Sequence, residues 1–401
     1  MTARSNGPLQ TENRLTLFRG VLCAAFIGGI IFSSKLWFAT SRSFPRAPVL
    51  FALDGGGIQS AEWLLSAVLV VSLILTLAVP KRTALFPLLA LMSVAVLVCL
   101  DQSRLQPWVY QYSLLLCVLA LHDWRKHNVA VSDRTLSLLQ ITVAAVYFWS
   151  GLQKLNFTFV NEVFPELLVP LRTVLPWLPE PTAGVGILVS LTEVLICCGL
   201  LYSRMRDLFV WFAVAMHAIA LTLLIGRGYN SVVWIWNSAL MLIVWILFWR
   251  SDVHFWRRRG IQQGLRSRLA TTVTLAAALL PLMSFWGWWD MYLSGALYSG
   301  NTAVGVVHVG PDVSEKLPAT AKEQLFRVES TGEQMLPLLE WSMADLNVPA
   351  YPEVRIYKQV TSEICSLATN KNEVALIVKE RPSILSGQYR ITRTGCSQLE
   401  R

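Results

Sequence analysis

Apolar runs of roughly one membrane thickness recur along the chain, separated by short polar connections. A helix needs about 20 apolar residues to cross a bilayer, and in lipid its backbone hydrogen bonds are satisfied internally. The pattern therefore predicts an all-α polytopic membrane bundle. It has about nine transmembrane helices, at residues 17–38, 62–80, 84–100, 107–122, 136–154, 183–202, 207–226, 231–249 and 269–289.

The pattern changes after about residue 290. Short strand-like runs occur there at Ala303–Val309 and Glu373–Val378, and helix-like stretches lie between them at about 333–346 and 358–367. This alternation predicts a small C-terminal α+β domain, which we call the tail domain. The domain organisation is a cytoplasmic N-terminal segment (1–16), a transmembrane bundle (17–290) and the tail domain (291–401).

Composition and charge agree with a membrane protein. Hydrophobic residues make up 54% of the chain and charged residues 15%, more apolar surface than a water-soluble fold of this length buries. The net charge of +9 does not indicate nucleic-acid binding, because the basic residues form short clusters between apolar runs.

Sixteen Lys and Arg residues fall in the inner connections and seven in the outer ones. The N-terminus is therefore expected in the cytoplasm and the tail domain outside, with a bacterial inner membrane favoured by the short loops.

Two of the seven cysteines stand apart from the apolar runs. Cys365 and Cys396 lie in the tail domain, where an oxidising compartment would allow them to form a disulfide, and free thiols are the alternative. The other five lie in or beside apolar runs without metal-ligand spacing. No metal site is predicted.

Two ionisable residues lie deep in predicted spans 6 and 7. Glu193 precedes Arg204 by eleven residues and His217 follows Arg206 by eleven, so both lie at equal depth in a helical hairpin. Asn237 on span 8 lies at a comparable depth. Two interpretations are open: a site that handles protons or a ligand, and a structural hydrogen bond between helices.

Lys154 ends the fifth predicted span. Its ammonium either extends to the lipid headgroups or acts, once desolvated, as a base. The following segment, Phe157–Pro179, is apolar and broken by prolines, as expected of a re-entrant segment that covers a cavity. Glu162 and Glu166 lie in this segment one helical turn apart, and either carboxylate is a candidate partner for the lysine.

A third polar cluster opens the fourth predicted span. It supplies four candidate pocket residues, Asp101, Arg104, Trp108 and Tyr112. Hydrogen-bonding and aromatic side chains are denser here than an interfacial belt requires, which favours a lined pocket. An ordinary aromatic belt is the alternative.

These stretches together resemble the HTTM (horizontally transferred transmembrane) superfamily, which includes the vitamin K-dependent gamma-glutamyl carboxylase. The resemblance rests on the aspartate-led loop at Asp101, the motif Ser150-Gly151-Leu152-Gln153-Lys154-Leu155-Asn156, and His217 followed by Gly226. It covers about residues 15–290. It implies that Lys154 is the base that deprotonates a reduced quinone, which would be the cofactor. Where the carboxylase places a catalytic histidine this chain has Trp108, whose indole cannot exchange a proton near neutral pH.

Three functions follow as hypotheses. The first is a carboxylase-like enzyme that acts at the outer leaflet on a lipophilic quinone-like or lipid-like molecule, with Lys154 as its base. The second is a non-catalytic scaffold that holds the tail domain in a larger assembly. The third is a proton-coupled transporter that uses Glu193 and His217. The expected partners are membrane lipids and a lipophilic small molecule; the sequence identifies no protein partner.

Overall fold

The computed structural model describes residues 8–38, 41–49, 58–79, 84–122, 129–228, 230–251 and 265–399. These residues are mostly helical and end in a small antiparallel sheet. The broad fold class predicted from the hydrophobic pattern is therefore confirmed. The exact number of membrane crossings and their direction stay predictions.

Twelve helices precede the tail domain in the described residues. They are α1 (Pro8–Phe32), α2 (Ser34–Phe38), α3 (Ile58–Ala78), α4 (Leu85–Leu100), α5 (Pro107–Ala120), α6 (Val129–Lys154), α7 (Phe164–Leu167), α8 (Val169–Val174), α9 (Ala183–Leu201), α10 (Arg206–Arg227), α11 (Ser231–Phe248) and α12 (Leu265–Leu279). A 3-10 stretch, Leu280–Trp286, continues α12.

Seven of the described helical stretches are long and apolar enough to cross a membrane: α1, α3, α6, α9, α10, α11, and α12 with its continuation. The third and fourth predicted spans correspond to α4 and α5, which have only 16 and 14 residues. At 1.5 Å per residue they are shorter than the hydrocarbon core of a typical bilayer, about 30 Å. Length alone thus distinguishes these two helices from the other seven.

The first helix is the central element of the bundle. Leu15, Phe18, Leu22 and Phe26 recur every three or four residues along α1 and are fully buried. This stripe packs against α11, α6 and α3. Apolar residues on the opposite surfaces of the bundle, such as Leu188 on α9, remain exposed. Exposed apolar side chains around the bundle fit a surface that faces lipid.

The chain is irregular between α6 and α9. A π-helical turn at Phe159–Val163 leads into α7 and then α8. Pro165 and Pro170 lie within the first turn of these short helices, where a missing backbone N–H is tolerated. The segment therefore forms short helical pieces, as its prolines predict, and does not form a span.

The tail domain is a five-stranded antiparallel sheet flanked by short helices. The strands are β1 (Val304–Val309), β2 (Phe326–Arg327), β3 (Gln334–Pro337), β4 (Val374–Lys379) and β5 (Ile391–Gly395), in the spatial order β2-β3-β1-β4-β5. The helices are α13 (Pro311–Lys316), α14 (Ala319–Lys322), α15 (Leu338–Leu346), α16 (Val354–Cys365) and α17 (Cys396–Leu399). Cys365 and Cys396 form a disulfide that joins α16 to α17.

One helix predicted in the tail domain is shorter in the structure than the sequence pattern predicts. The helix expected at 333–346 begins only at Leu338, because the first residues form β3 and pair with β1. Pro337 cannot donate a backbone hydrogen bond inside a helix, and the residue before a proline favours an extended conformation. Met335 and Leu336 are buried in this strand. The prolines and the burial of these residues together account for the strand.

The tail domain is hydrogen-bonded to one end of the bundle, which we call the tail-facing end. Asp345 on α15 accepts from the backbone N–H groups of Ser43 (2.7 Å) and Phe44 (2.8 Å) and from Lys35 Nζ (3.1 Å). Burial opposes ionisation of Asp345, but these donors outweigh it and lower its pKa. An ionised carboxylate at this position therefore holds the tail domain on the loop after α2.

Candidate functional site

Lys154 is the last residue of α6 and is bound to a carboxylate. Its Nζ lies 2.5 Å from Glu193 Oε1 on α9 and donates to Ser150 Oγ at 3.0 Å. The side chains of Lys154 and Glu193 are only 14% and 7% exposed. The lysine therefore does not extend to solvent as a free amine: it forms a largely buried ion pair between α6 and α9.

Gly151 explains why the two helices approach closely enough for this pair. A Cβ atom at Gly151 would lie 2.6 Å from the backbone oxygen of Ser190 and 2.9 Å from Glu193 Cβ, closer than side chains allow. Small residues at helix contacts permit such approach in membrane bundles. Lys154 follows Gly151 by three residues and lies on the same face of α6, so its side chain meets Glu193.

A second buried group lies on α10. His217 Nδ1 lies 2.8 Å from Asn237 Oδ1, and His217 Nε2 lies 2.7 Å from the hydroxyl of Tyr147. Because an amide oxygen only accepts, Nδ1 carries the imidazole proton and Nε2 accepts from Tyr147. Asn237 Nδ2 donates in turn to the backbone oxygen of Val233 at 2.9 Å. His217 is held in a single neutral tautomer.

Both groups line one cavity of about 140 Å³ near the tail-facing end of the bundle. Its walls include Tyr147, Lys154, Glu193, His217 and Asn237. The equal depth predicted for Glu193 and His217 brings them to one cavity, but each bonds to a different partner. Among the described residues, Glu193 Oε2 is buried and has no hydrogen-bond partner. A buried carboxylate oxygen without a donor is costly, and a ligand with a donor would satisfy it.

The remaining polar residues of the lysine motif connect α6 to the tail domain. Gln153 Nε2 donates to Ser284 Oγ (2.9 Å), and Gln153 Oε1 accepts from Asn301 Nδ2 (2.7 Å). Arg381 from the tail domain donates to Asn301 Oδ1 at 2.7 Å and to the backbone oxygen of Ser284 at 2.6 Å. Asn156 caps the following turn, since its Oδ1 accepts from the N–H of Phe159 at 2.8 Å. The motif thus fixes the position of the helix end that carries Lys154.

The two carboxylates proposed as partners of Lys154 lie elsewhere. Glu162 and Glu166 are exposed, and the carboxylate that pairs with Lys154 is that of Glu193. Glu166 lines a second, larger cavity between the bundle and the tail domain. The irregular segment therefore covers that second cavity and contributes no residue to the walls of the Lys154 cavity.

Asp101 and Arg104 form a separate, closed network of charges. Asp101 accepts from Arg42 Nη1 at 2.5 Å, and Arg104 Nη2 donates to Glu62 at 2.8 Å. Burial opposes ionisation of Asp101, but Arg42 and Arg104 outweigh it and lower its pKa to about 2. Arg104 also donates to the backbone oxygens of Leu36 and Leu97. These residues hold α3, α4 and the loop before α5 together.

Trp108 and Tyr112 are packed into an aromatic cluster. The ring centroid of Trp108 lies 5.8 Å from that of Phe26, 6.1 Å from Trp37 and 6.0 Å from Tyr112. A Cβ at Gly29 would lie 2.6 Å from the indole. Neither Trp108 Nε1 nor Tyr112 Oη has a hydrogen-bond partner in the described part of the chain. None of the four candidate pocket residues of this region lines the Lys154 cavity. Asp101 and Arg104 belong instead to a charge network, and Trp108 and Tyr112 belong to an aromatic cluster.

For two residues of the site the sequence predicted no contact with Lys154 or His217. Tyr147 and Ser150 precede Lys154 on α6 by seven and four residues, so all three share one helix face. This spacing is the feature of the sequence from which their position beside Lys154 could have been predicted. Among the described residues, no group of three His, Cys, Asp or Glu side chains could hold a metal ion.

Known protein families, curated proteins and solved structures were compared with this chain, and none matches it. The resemblance to the HTTM superfamily accordingly stays a prediction that rests on the residues given above.

Proposed function

We propose that this protein is a membrane enzyme that removes a proton from a hydroxyl group on a lipophilic, ring-containing substrate. The observation that carries the proposal is the 2.5 Å Lys154–Glu193 pair in a cavity where Glu193 Oε2 has no partner among the described residues. A cavity of about 140 Å³ is close to the roughly 150 Å³ that admits a single benzene ring. A phenol or a reduced quinone fits this size and supplies the missing hydrogen-bond donor.

The pair supports base catalysis by a proton shift between its two members. An ionised Lys154 has no lone pair, so it acts as a base only after its proton passes to Glu193. Entry of an apolar ring removes water from the cavity, and transfer of the proton along the 2.5 Å contact from Lys154 to Glu193 leaves both groups uncharged. Lys154 then takes the substrate proton. The products are a substrate oxyanion, the Lys154 ammonium beside it and a protonated Glu193.

The neighbouring residues support positioning of the ring. Asn237 and Tyr147 bind the two ring nitrogens of His217, so the ring presents no unpaired nitrogen to the cavity. The apolar walls include Leu224, Leu240 and Leu297. The bias of basic residues towards the inner connections, together with the disulfide in the tail domain, supports a cavity near the outer leaflet.

The direct test is hydroquinone-dependent oxygen consumption by the purified protein in detergent. Lys154→Ala and Lys154→Arg are both expected to lower the rate by at least about 10²-fold, the usual contribution of a general base. Lys154→Arg is the sharper variant because arginine keeps the cation beside Glu193 but does not deprotonate. A wild-type protein without activity, or an active arginine variant, would count against the proposal.

A binding measurement avoids dependence on the right substrate. A nitrophenol changes its visible absorption on ionisation and has one ring. The wild type is expected to bind it as the phenolate at a pH where the free phenol is neutral, because Lys154 stabilises the oxyanion. Lys154→Met should abolish this spectral change, and Lys358→Met, a substitution of an exposed lysine of the tail domain outside the cavity, should leave it intact.

A scaffold is the second candidate, and the hydrogen bonds between the tail domain and the bundle favour it. Asp345 bonds to the loop after α2, and Arg381 donates to the backbone oxygen of Ser284, so each holds the tail domain on the bundle. If Lys154→Arg keeps cellular function while removal of residues 300–401 abolishes it, the tail domain carries the role and the enzyme proposal fails.

A further inference from the structure

A second cavity lies between the bundle and the tail domain. It has a volume of about 630 Å³ and is lined by residues from α7, the turn before α11, the chain around Gly300 and α15. We call it the tail chamber. This volume lies within the range of about 300–1,000 Å³ typical of small-molecule sites. Leu297 and Tyr298 line both the tail chamber and the Lys154 cavity, so the two spaces are neighbours.

Asn230 supplies an unpaired acceptor in the wall of the tail chamber. The residue is only 1% exposed, and its Nδ2 donates to the hydroxyl of Tyr298 at 2.7 Å. Its Oδ1 is buried and has no hydrogen-bond partner among the described residues. Its backbone φ is +54°, a conformation that asparagine tolerates better than most residues. The side chain is therefore fixed by Tyr298, while its oxygen is left for a donor that the described residues do not provide.

The charges of the tail chamber fit an ammonium group. Glu166 and Glu340 both line the chamber and are exposed to it and to solvent. Arg227 lies in the same wall, with its Nη1 donating to the backbone oxygen of Glu166 at 2.6 Å. Two carboxylates and one guanidinium suit a headgroup that carries both an ammonium and a phosphate.

Apolar residues complete the chamber. Leu167, Leu339 and Met343 line it beside the charged groups. Leu167 belongs to the proline-broken segment that follows α6, and irregular backbone of this kind lies at the edge of a bilayer or against protein. A ligand that enters here therefore combines a polar headgroup with an apolar portion.

We propose that the tail chamber binds an amphipathic lipid whose headgroup carries a primary ammonium. The ammonium donates to Asn230 Oδ1 and is neutralised by the carboxylates of Glu166 and Glu340. A trimethylated ammonium has no N–H group and cannot satisfy the Asn230 oxygen. This binding is independent of any reaction at Lys154.

The test compares phosphatidylethanolamine with phosphatidylcholine of identical acyl chains, each added to the full-length protein in detergent. Native mass spectrometry measures the fraction of protein that retains lipid. The wild type is expected to bind phosphatidylethanolamine about tenfold more tightly, the effect of one charge-assisted hydrogen bond. Equal retention of the two lipids would overturn the proposal.

Variants at Asn230 and Glu340 locate the preference. Asn230→Gly keeps the backbone conformation but removes the acceptor, and it is expected to abolish the preference between the two lipids. Asn230→Asp keeps an oxygen acceptor and should retain it. Glu340→Gln, at an exposed position where folding is insensitive, should reduce the preference severalfold. An unchanged preference in both Asn230→Gly and Glu340→Gln would show that the lipid binds elsewhere.

Discussion

Two clusters of buried charge lie near the tail-facing end of the bundle, and they differ in how their charged groups are satisfied. In the network of Asp101 and Arg104, each carboxylate meets a guanidinium, and Arg104 makes three hydrogen bonds. In the Lys154 site, Glu193 has one oxygen bound to the lysine and the other without a partner in the described chain. The first cluster holds helices together, whereas the second leaves a place for a ligand.

The largest expected effect belongs to the closed network. Arg104→Ala leaves Glu62 as a buried charge without its innermost partner, and the free energy of unfolding should fall by about 3–5 kcal/mol. Thermal unfolding in detergent measures the loss.

Arg46→Ala is the matched control. Arg46 also pairs with Glu62, at 2.9 Å, but its side chain is 32% exposed and its removal leaves Glu62 paired with Arg104, so the loss should be smaller, about 1.5 kcal/mol. Equal losses for the two variants would mean that burial does not distinguish the pairs.

A smaller effect is expected in the aromatic cluster. Trp108→His introduces the residue type that the resemblance to the HTTM superfamily predicts at this position, but it removes ring volume packed against Gly29 and Phe26. The free energy of unfolding should fall by about 2–3 kcal/mol, less than the 3–5 kcal/mol typical of a Trp→Ala change in a core. Hydroquinone-dependent oxygen consumption should not rise, because Trp108 does not line the Lys154 cavity. A stable variant with raised activity would contradict the separation of the two regions.

The smallest effect is expected within the ligand site. Tyr147→Phe removes the hydroxyl that donates to His217 but keeps the ring, so the free energy of unfolding should fall by about 0.5–1.5 kcal/mol. Tyr202→Phe, at an exposed position directly after α9, is the control and should change little. If Tyr147→Phe destabilises the protein as much as Arg104→Ala, the site is a structural network like that of Asp101.

The depth of residues in the bundle was predictable from the sequence, and their partners were not. A fixed rise of 1.5 Å per residue gave Glu193 and His217 equal depth, and both line one cavity. The partner of each depends on how the helices rotate about their axes. Gly151 sets that rotation by allowing α6 and α9 to touch, and its effect is visible only when the facing residues, Ser190 and Glu193, are known.

The density of polar and aromatic residues was a weaker guide. Asp101, Trp108 and Tyr112 were expected to share a pocket, but ring packing against α1 and ion pairs with Arg42 are contacts between distant parts of the chain. The same limit applies to β3, whose pairing with β1 is not local. Local sequence patterns identify helices and strands. Contacts between distant parts of the chain decide whether a cluster of polar side chains has all its partners within the protein.

Asn347, at the end of α15, gives the tail domain a part in the assembly of the protein. Its Nδ2 donates to the backbone oxygen of Phe32 at 2.8 Å and to Ser231 Oγ at 2.7 Å. Phe32 ends α1 and Ser231 begins α11. Both helices precede Asn347 in the chain, so they have been synthesised before these bonds can form. Through Asn347 the tail domain therefore joins the end of α1 to the start of α11.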